Sequence, residues 1–179
     1  MAEEAGMATR WLQAQGLPGP AILLAHLTQI DGAAWQTLAP QTWASATGGP
    51  LCPLATGATL SDHAALISTP LTLQAIAQPA LLLPFLANTA QHRAAALRIE
   101  AQTGHALLNG KDLRLDGPAT WLATPATLNL HETAQPTTAA PRGPQPPTLA
   151  ALNAFGLRTT VPPSAQSRAG AGAASSDKD

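Results

Sequence analysis

The sequence predicts an α+β domain in which N-terminal helices pack on a small, mostly antiparallel sheet. Three observations carry that prediction. Apolar residues recur at helical spacing near the N-terminus, the period shortens to that of strands from Leu71 onward, and Asn109-Gly110 separates two alternating runs as a hairpin turn. The chain has 179 residues, one domain's worth, and 45% of them are hydrophobic, enough to fill a core. That core must be aliphatic. Aromatic residues make up 3% of the chain, tyrosine is absent, and Trp11, Trp35, Trp43, Trp121, Phe85 and Phe155 supply the large side chains.

Residues 2–15 predict a first helix, because Ala8, Trp11, Leu12 and Gln15 fall on one face while Glu3, Glu4, Arg10 and Gln13 face water. Acidic residues in its first turn suit the helix dipole, and Gly16 is a natural stop. A second helix is expected from Pro20, a good first-turn residue, to Ile30, ended by Asp31-Gly32. Its apolar positions run nearly all round, which predicts deep burial. A third, short helix is expected around 33–38. Residues 45–61 are dense in Gly and Pro and predict a loop, followed by a short helix over 62–67 capped by Ser61.

From Leu71 the pattern changes. Residues 71–76 and 80–86 are short apolar runs edged by proline and predict buried strands. Residues 96–101 alternate as a half-buried strand, and 106–108 return after the Gln102–His105 turn. Leu113 and Leu115 continue beyond Asn109-Gly110, Asp116-Gly117-Pro118 turns again, and 126–130 give one more strand. The expected organisation is a single α+β domain over 1–132, a Pro-rich linker over 133–147, a short docking segment over 148–161, and a flexible Gly/Ala/Ser-rich tail over 162–179.

Charge narrows the function classes. The formal net charge is −1 and only 11% of residues are charged. Nine scattered Lys and Arg make neither the basic face that nucleic acid demands nor a polybasic membrane anchor, so no nucleic acid and no membrane are expected as partners. The longest apolar stretch, 71–87, is interrupted by Gln74, Gln78, Pro79 and Pro84 and is short of the ~20 apolar residues a membrane-spanning helix needs. The opening Met-Ala-Glu-Glu lacks the features of a secretory signal, which predicts a cytoplasmic protein. No Asp, Glu, Lys or Arg lies between Asp31 and Asp62, or between Asp62 and Arg93. Such a stretch is either buried or turned toward a partner, whether another protein or a second copy of the chain.

Several blocks carry a resemblance. The helix at 2–12 followed by Gly16-Leu17-Pro18-Gly19, the segment 49–58, and the pieces 158–162 and 167–173 together resemble a bacterial family of uncharacterised proteins, domain of unknown function 3726. The family usually has a Trp-Gly-containing segment before this helix. It lacks a counterpart here, which implies a late start or a missing N-terminal piece. Members tend to carry an aromatic where Thr160 stands and an Asp-Asn-Asp-like ending where 176–179 stand. The resemblance implies no activity, cofactor or substrate.

Candidate chemistry is sparse. Cys52, the single cysteine, excludes an intrachain disulfide. As a nucleophile it would need a neighbouring base, and His63, oriented by Asp62, is the nearest histidine in sequence. As a small buried hydrophobe it needs nothing. The glycines of 48–57 match no phosphate-binding spacing and are expected to serve packing. His26, His63, His92, His105 and His131 show no i, i+4 pair, so a metal ion would need ligands such as Asp62, Asp112 or Glu132 brought in by the fold. His26 is expected in the core or at an interface. No metal and no cofactor are assigned. Glu3, Glu4 and Arg10 read as a solvated helix face, or as a ligand-facing cluster because they belong to the resemblance. Arg158, Ser167, Arg168, Gly170 and Gly172 form a candidate binding segment that orders on contact, with Arg168 gripping a carboxylate or phosphate. Two functions follow: an accessory or assembly protein using the uncharged 32–92 surface or the tail, and a small enzyme or binding protein for a small anionic metabolite.

Overall fold

Glu3 and Glu4 occupy the first turn of α1 (Ala2–Ala14), where the unpaired backbone N–H groups favour negative charge, and Ala8 and Leu12 on the opposite face are buried. The computed structural model describes residues 2–34, 40, 43–44, 48–110 and 112–133, all within one compact unit spanning residues 1–146. Helix α2 (Gly19–Ile30) opens with Pro20 and buries Ile22, Leu23 and His26. Both helices match their sequence expectation. The third helix expected around 33–38 lies mostly outside the described residues, and Ala33 and Ala34 are not helical.

Helix α3 (Pro53–Asp62) stands where a loop was expected. Two local facts override the Gly and Pro content. Pro53 sits in the first turn, where its missing N–H costs nothing. Gly57 lies directly against Phe85, and a Cβ there would meet the ring at 2.3 Å, so glycine lets two helices approach rather than opening a loop. The helix ends at Asp62, and a single 3-10 turn over Ala64–Leu66 replaces the helix expected at 62–67.

The second revision concerns 80–86. After strand β1 (Leu71–Ile76), a 3-10 turn (Pro79–Leu82) leads into α4 (Leu83–His92), so this run is helical. Leu83, Phe85, Leu86, Ala87, Thr89 and Ala90 are all buried. Every residue from Pro79 to Ala87 is buried, so that half of the segment shows no polar stripe and its short apolar run reads equally well as a strand. Helix α4 packs against α1 and α3 on one side and against β2 (Ala96–Ala101) and β3 (Gly104–Asn109) on the other.

The remaining strands, β4 (Asp112–Asp116) and β5 (Ala126–Thr133), complete a five-stranded antiparallel sheet of order β1-β5-β2-β3-β4. Strands β2, β3 and β4 form the expected meander, with Asn109 opposite Asp112 across Gly110 (φ 57). Strand β5 returns to lie between β1 and β2. Leu73, Leu97, Ile99, Ala106, Leu108, Leu128 and Leu130 point at the helices and are buried, while the opposite face, Leu107 apart, is mostly polar. The outer edge of β1 is covered by a strap: Gln74 N–H donates to the Trp43 carbonyl at 3.0 Å, and Leu51 bridges Ile76 in parallel. Covering an edge in this way removes a free template for strand pairing.

Much of the uncharged stretch is therefore interior. Leu51–Gly57, Leu73 and Ile76–Ala87 are buried, which accounts for the missing charges without a partner. Among the described residues no helix is long and apolar enough to cross a membrane.

Candidate functional site

A close pairing of a thiol and an imidazole lies between α2 and the start of α3. Cys52 is the residue before α3, with extended backbone (φ −67, ψ 118), and His26 projects from the buried face of α2. His26 Nε2 and Cys52 Sγ are 3.3 Å apart, both side chains essentially without solvent contact. Sequence reasoning assigned the thiol a different partner, His63. The structure separates those two: Cys52 precedes α3 and His63 follows it, so a helix of ten residues, about 15 Å of rise, stands between them. His63 is exposed and its Nδ1 lies 3.0 Å from the Thr59 carbonyl oxygen, while Asp62 is exposed beside it.

The Cys52–His26 pair is electrically quiet. Burial pushes the Cys52 thiol up, and the backbone N–H groups of Ala55 and Leu54 offset only part of that. Burial also lowers His26 to about 4. Each group is driven toward its neutral form, the reverse of the thiolate–imidazolium pair that an activated nucleophile needs. His26 Nδ1 and Thr56 Oγ1 are buried without a hydrogen-bond partner. Nothing local in the sequence announces the pair, since its members sit 26 positions apart on different elements. The one hint is His26 itself, the single ionisable side chain on a helix that is otherwise almost wholly apolar.

The polar sheet face carries a second cluster. Register aligns Thr72, Asn129, Glu100, His105 and Asp116 in one row across all five strands. Arg98 Nε donates to Glu100 at 2.7 Å, His131 Nε2 stands 3.7 Å from the same carboxylate, and His105 and Arg114 approach Asp116 at 3.2 and 3.3 Å. The Arg98 hydrogen bond, reinforced by the surrounding positive charge, holds Glu100 below the usual carboxylate range. These groups are partly exposed, so solvent weakens their mutual attraction. Among the described residues no three His, Cys, Asp or Glu side chains come together to hold a metal ion.

A third feature is apolar. Leu66 is 79% exposed, the one large hydrophobic side chain so exposed among the described residues. It borders a groove of about 490 Å³ with Trp43, His63, Ile67, Pro70 and Leu71, and no Asp, Glu, Lys or Arg lines it. Arg93 fixes the back of this region, donating to the Ala64 and Ile67 carbonyls at 2.9 and 2.8 Å and pairing with Glu132.

The other sequence candidates are not drawn together. Glu3 and Arg10 are exposed on α1 and Glu4 is half-buried there. Arg158, Ser167, Arg168, Gly170 and Gly172 lie outside the described residues, as do the docking segment, the tail and all of the expected linker except Thr133, which ends β5.

Comparison with known families finds a match over the N-terminal part of the chain. Residues 1–52 match the model of a family described as protein of unknown function (DUF3726), which takes in α1, α2 and the chain up to Cys52. The chain is similar to that family over this segment, as the resemblance at 2–19 implied, and both His26 and Cys52 fall inside it. No curated protein and no solved structure matches.

Proposed function

We propose that this is an accessory or assembly protein that acts by binding a partner protein, with the groove around Leu66 as its contact. The observation that carries the reading is Leu66 itself. Among the described residues every other large apolar side chain is at least half-buried, yet this one stands 79% exposed beside Trp43, Ile67, Pro70 and Leu71. Exposed apolar groups gathered in one depression are the usual centre of a protein contact. A stable contact covers about 800 Å² per partner, so the groove would form the middle of a larger patch. Such a protein works in the cytoplasm, where a lone thiol like Cys52 stays reduced. The test is capture of a partner from native extract together with light scattering of the purified chain, for wild type and Leu66→Asp. Loss of the captured protein, or of a dimer, in the variant supports the reading. A wild type that is monomeric and captures nothing sinks it.

One observation favours a second reading, a small enzyme acting on a small anionic metabolite: the 3.3 Å contact between Cys52 and His26 beside a helix N-terminus. Its burial and the high thiol pKa weigh against it. Turnover of a metabolite panel that disappears in Cys52→Ala would rescue it.

A further inference from the structure

Strand β1 does not pair evenly with β5. Leu73 lies opposite Leu128 but Ile76 lies opposite Ala126, so an extra residue bulges out between them. Ala75 in this bulge has φ 38, a left-handed conformation that an alanine adopts only under strain. Bulges of this kind often re-aim side chains beside binding sites. Here the bulge opens a cleft of about 550 Å³ at the end of the sheet, within the range of small-molecule sites.

The lining has a consistent chemistry. Gln102, Thr103, Thr124, Thr127 and Asn129 supply two amides and three hydroxyls, Trp121 forms a wall, and the rest is alanine and proline. None of the lining residues is charged. Trp121 is 3% exposed, and its indole is seated against Gly104, where a Cβ would lie 2.7 Å from Nε1. Asn129 Oδ1 already accepts from the Thr72 hydroxyl at 2.7 Å, which leaves the Asn129 NH₂ group to donate outward. Thr127 Oγ1 accepts from the Ala75 N–H at 3.4 Å, which likewise frees its hydroxyl proton.

We propose that this cleft binds an uncharged polyhydroxyl ligand of monosaccharide size. An ionic ligand would lose its hydration there with no opposite charge to meet it. Amide and hydroxyl side chains offer alternating donors and acceptors to neighbouring sugar hydroxyls, and the alanine and proline side chains of the lining meet the C–H groups of a ring. The site is separate from the Leu66 groove and stands or falls independently of it.

The experiment is an amide-correlation NMR titration of the full chain with D-glucose, D-galactose and N-acetyl-D-glucosamine, with D-glucose 6-phosphate as the charged counterpart. The expected result is a saturable shift of the Gln102, Thr103, Thr127 and Asn129 amides and the Trp121 indole N–H by at least one neutral sugar. The phosphate should give smaller shifts. Asn129→Leu and Thr127→Val, each shown to be folded by its own spectrum, should weaken binding at least about tenfold. No saturable shift with any neutral sugar, equal or stronger binding of the phosphate, or unchanged affinity in both variants overturns the proposal.

Discussion

Acid should unfold this protein partly through one residue, His26. Its side chain has no solvent contact, and burial lowers its pKa from 6.5 to about 4. In the unfolded chain the imidazole titrates normally. Above pH 6.5 neither state binds the proton and stability is flat with respect to this group. Between pH 6.5 and 4 the unfolded chain takes the proton and the fold does not, so stability falls by about 1.4 kcal/mol for each pH unit. Below pH 4 both states are protonated and the loss levels off at roughly 3 kcal/mol, a large share of a typical domain's 5–15 kcal/mol. Urea unfolding followed by far-UV circular dichroism at pH 7.5, 5.5 and 4.5 measures this in wild type, His26→Gln and His26→Leu. The variants will differ in absolute stability because each alters packing. The informative quantity is the change with pH, which the carboxylates contribute equally to all three proteins. Wild type should lose roughly 2–3 kcal/mol more than either variant across this range. Parallel pH profiles would refute the claim that His26 is held neutral by burial.

Other perturbations test the packing on which that site depends. Gly57→Ala forces a methyl into Phe85 and should destabilise by about 2 kcal/mol, lowering Tm by roughly 4–8 °C in a calorimetric scan. Arg93→Ala removes the two carbonyl contacts and the Glu132 pair that join α4, the 64–66 turn and β5, and should lower the urea-derived stability by about 2 kcal/mol. The Cys52 thiol should resist iodoacetamide in the native protein and react readily in urea; rapid alkylation without denaturant would mean that the thiol is neither buried nor held in its protonated form. Leu66→Asp should leave stability within about 0.5 kcal/mol while changing partner capture, because its side chain is already in water.

How much of this was legible in the sequence depended on whether an element keeps one wet face. Helix α1 sets Glu3 and Arg10 against Ala8 and Leu12, and β2 sets Arg98 and Glu100 against Leu97 and Ile99, so both announce their period and their buried side. The hairpin at Gly110 announces itself through a turn that few other residues can make. Helices α3 and α4 lie at the centre and lose that contrast. The Leu81–Leu83 run reads as a strand because no polar residue interrupts it to show a helical period, and Gly57 reads as a breaker although it is the point where the two helices touch. The Cys52–His26 contact was illegible for a different reason. It depends on where α2 is held relative to the residue before α3, a tertiary relation that no spacing within either segment encodes.

The same physics decides what the absence of charge between Asp31 and Arg93 means. An uncharged stretch can be interface or interior, and composition treats the two alike. Here most of it is interior: Leu51–Gly57 and Ile76–Ala87 bury themselves against one another and against the sheet, where an unpaired Lys or Glu would be costly. Burial of those segments removes the original reason to expect a partner along the whole stretch. It also makes the exceptions more informative. Leu66, Ile67 and Pro70 belong to the same uncharged stretch, yet they lie on a turn held from behind by Arg93 and cannot join the core the rest of it forms. The case for a partner therefore contracts from some sixty residues to one groove, and a single exposed leucine becomes the place to test it.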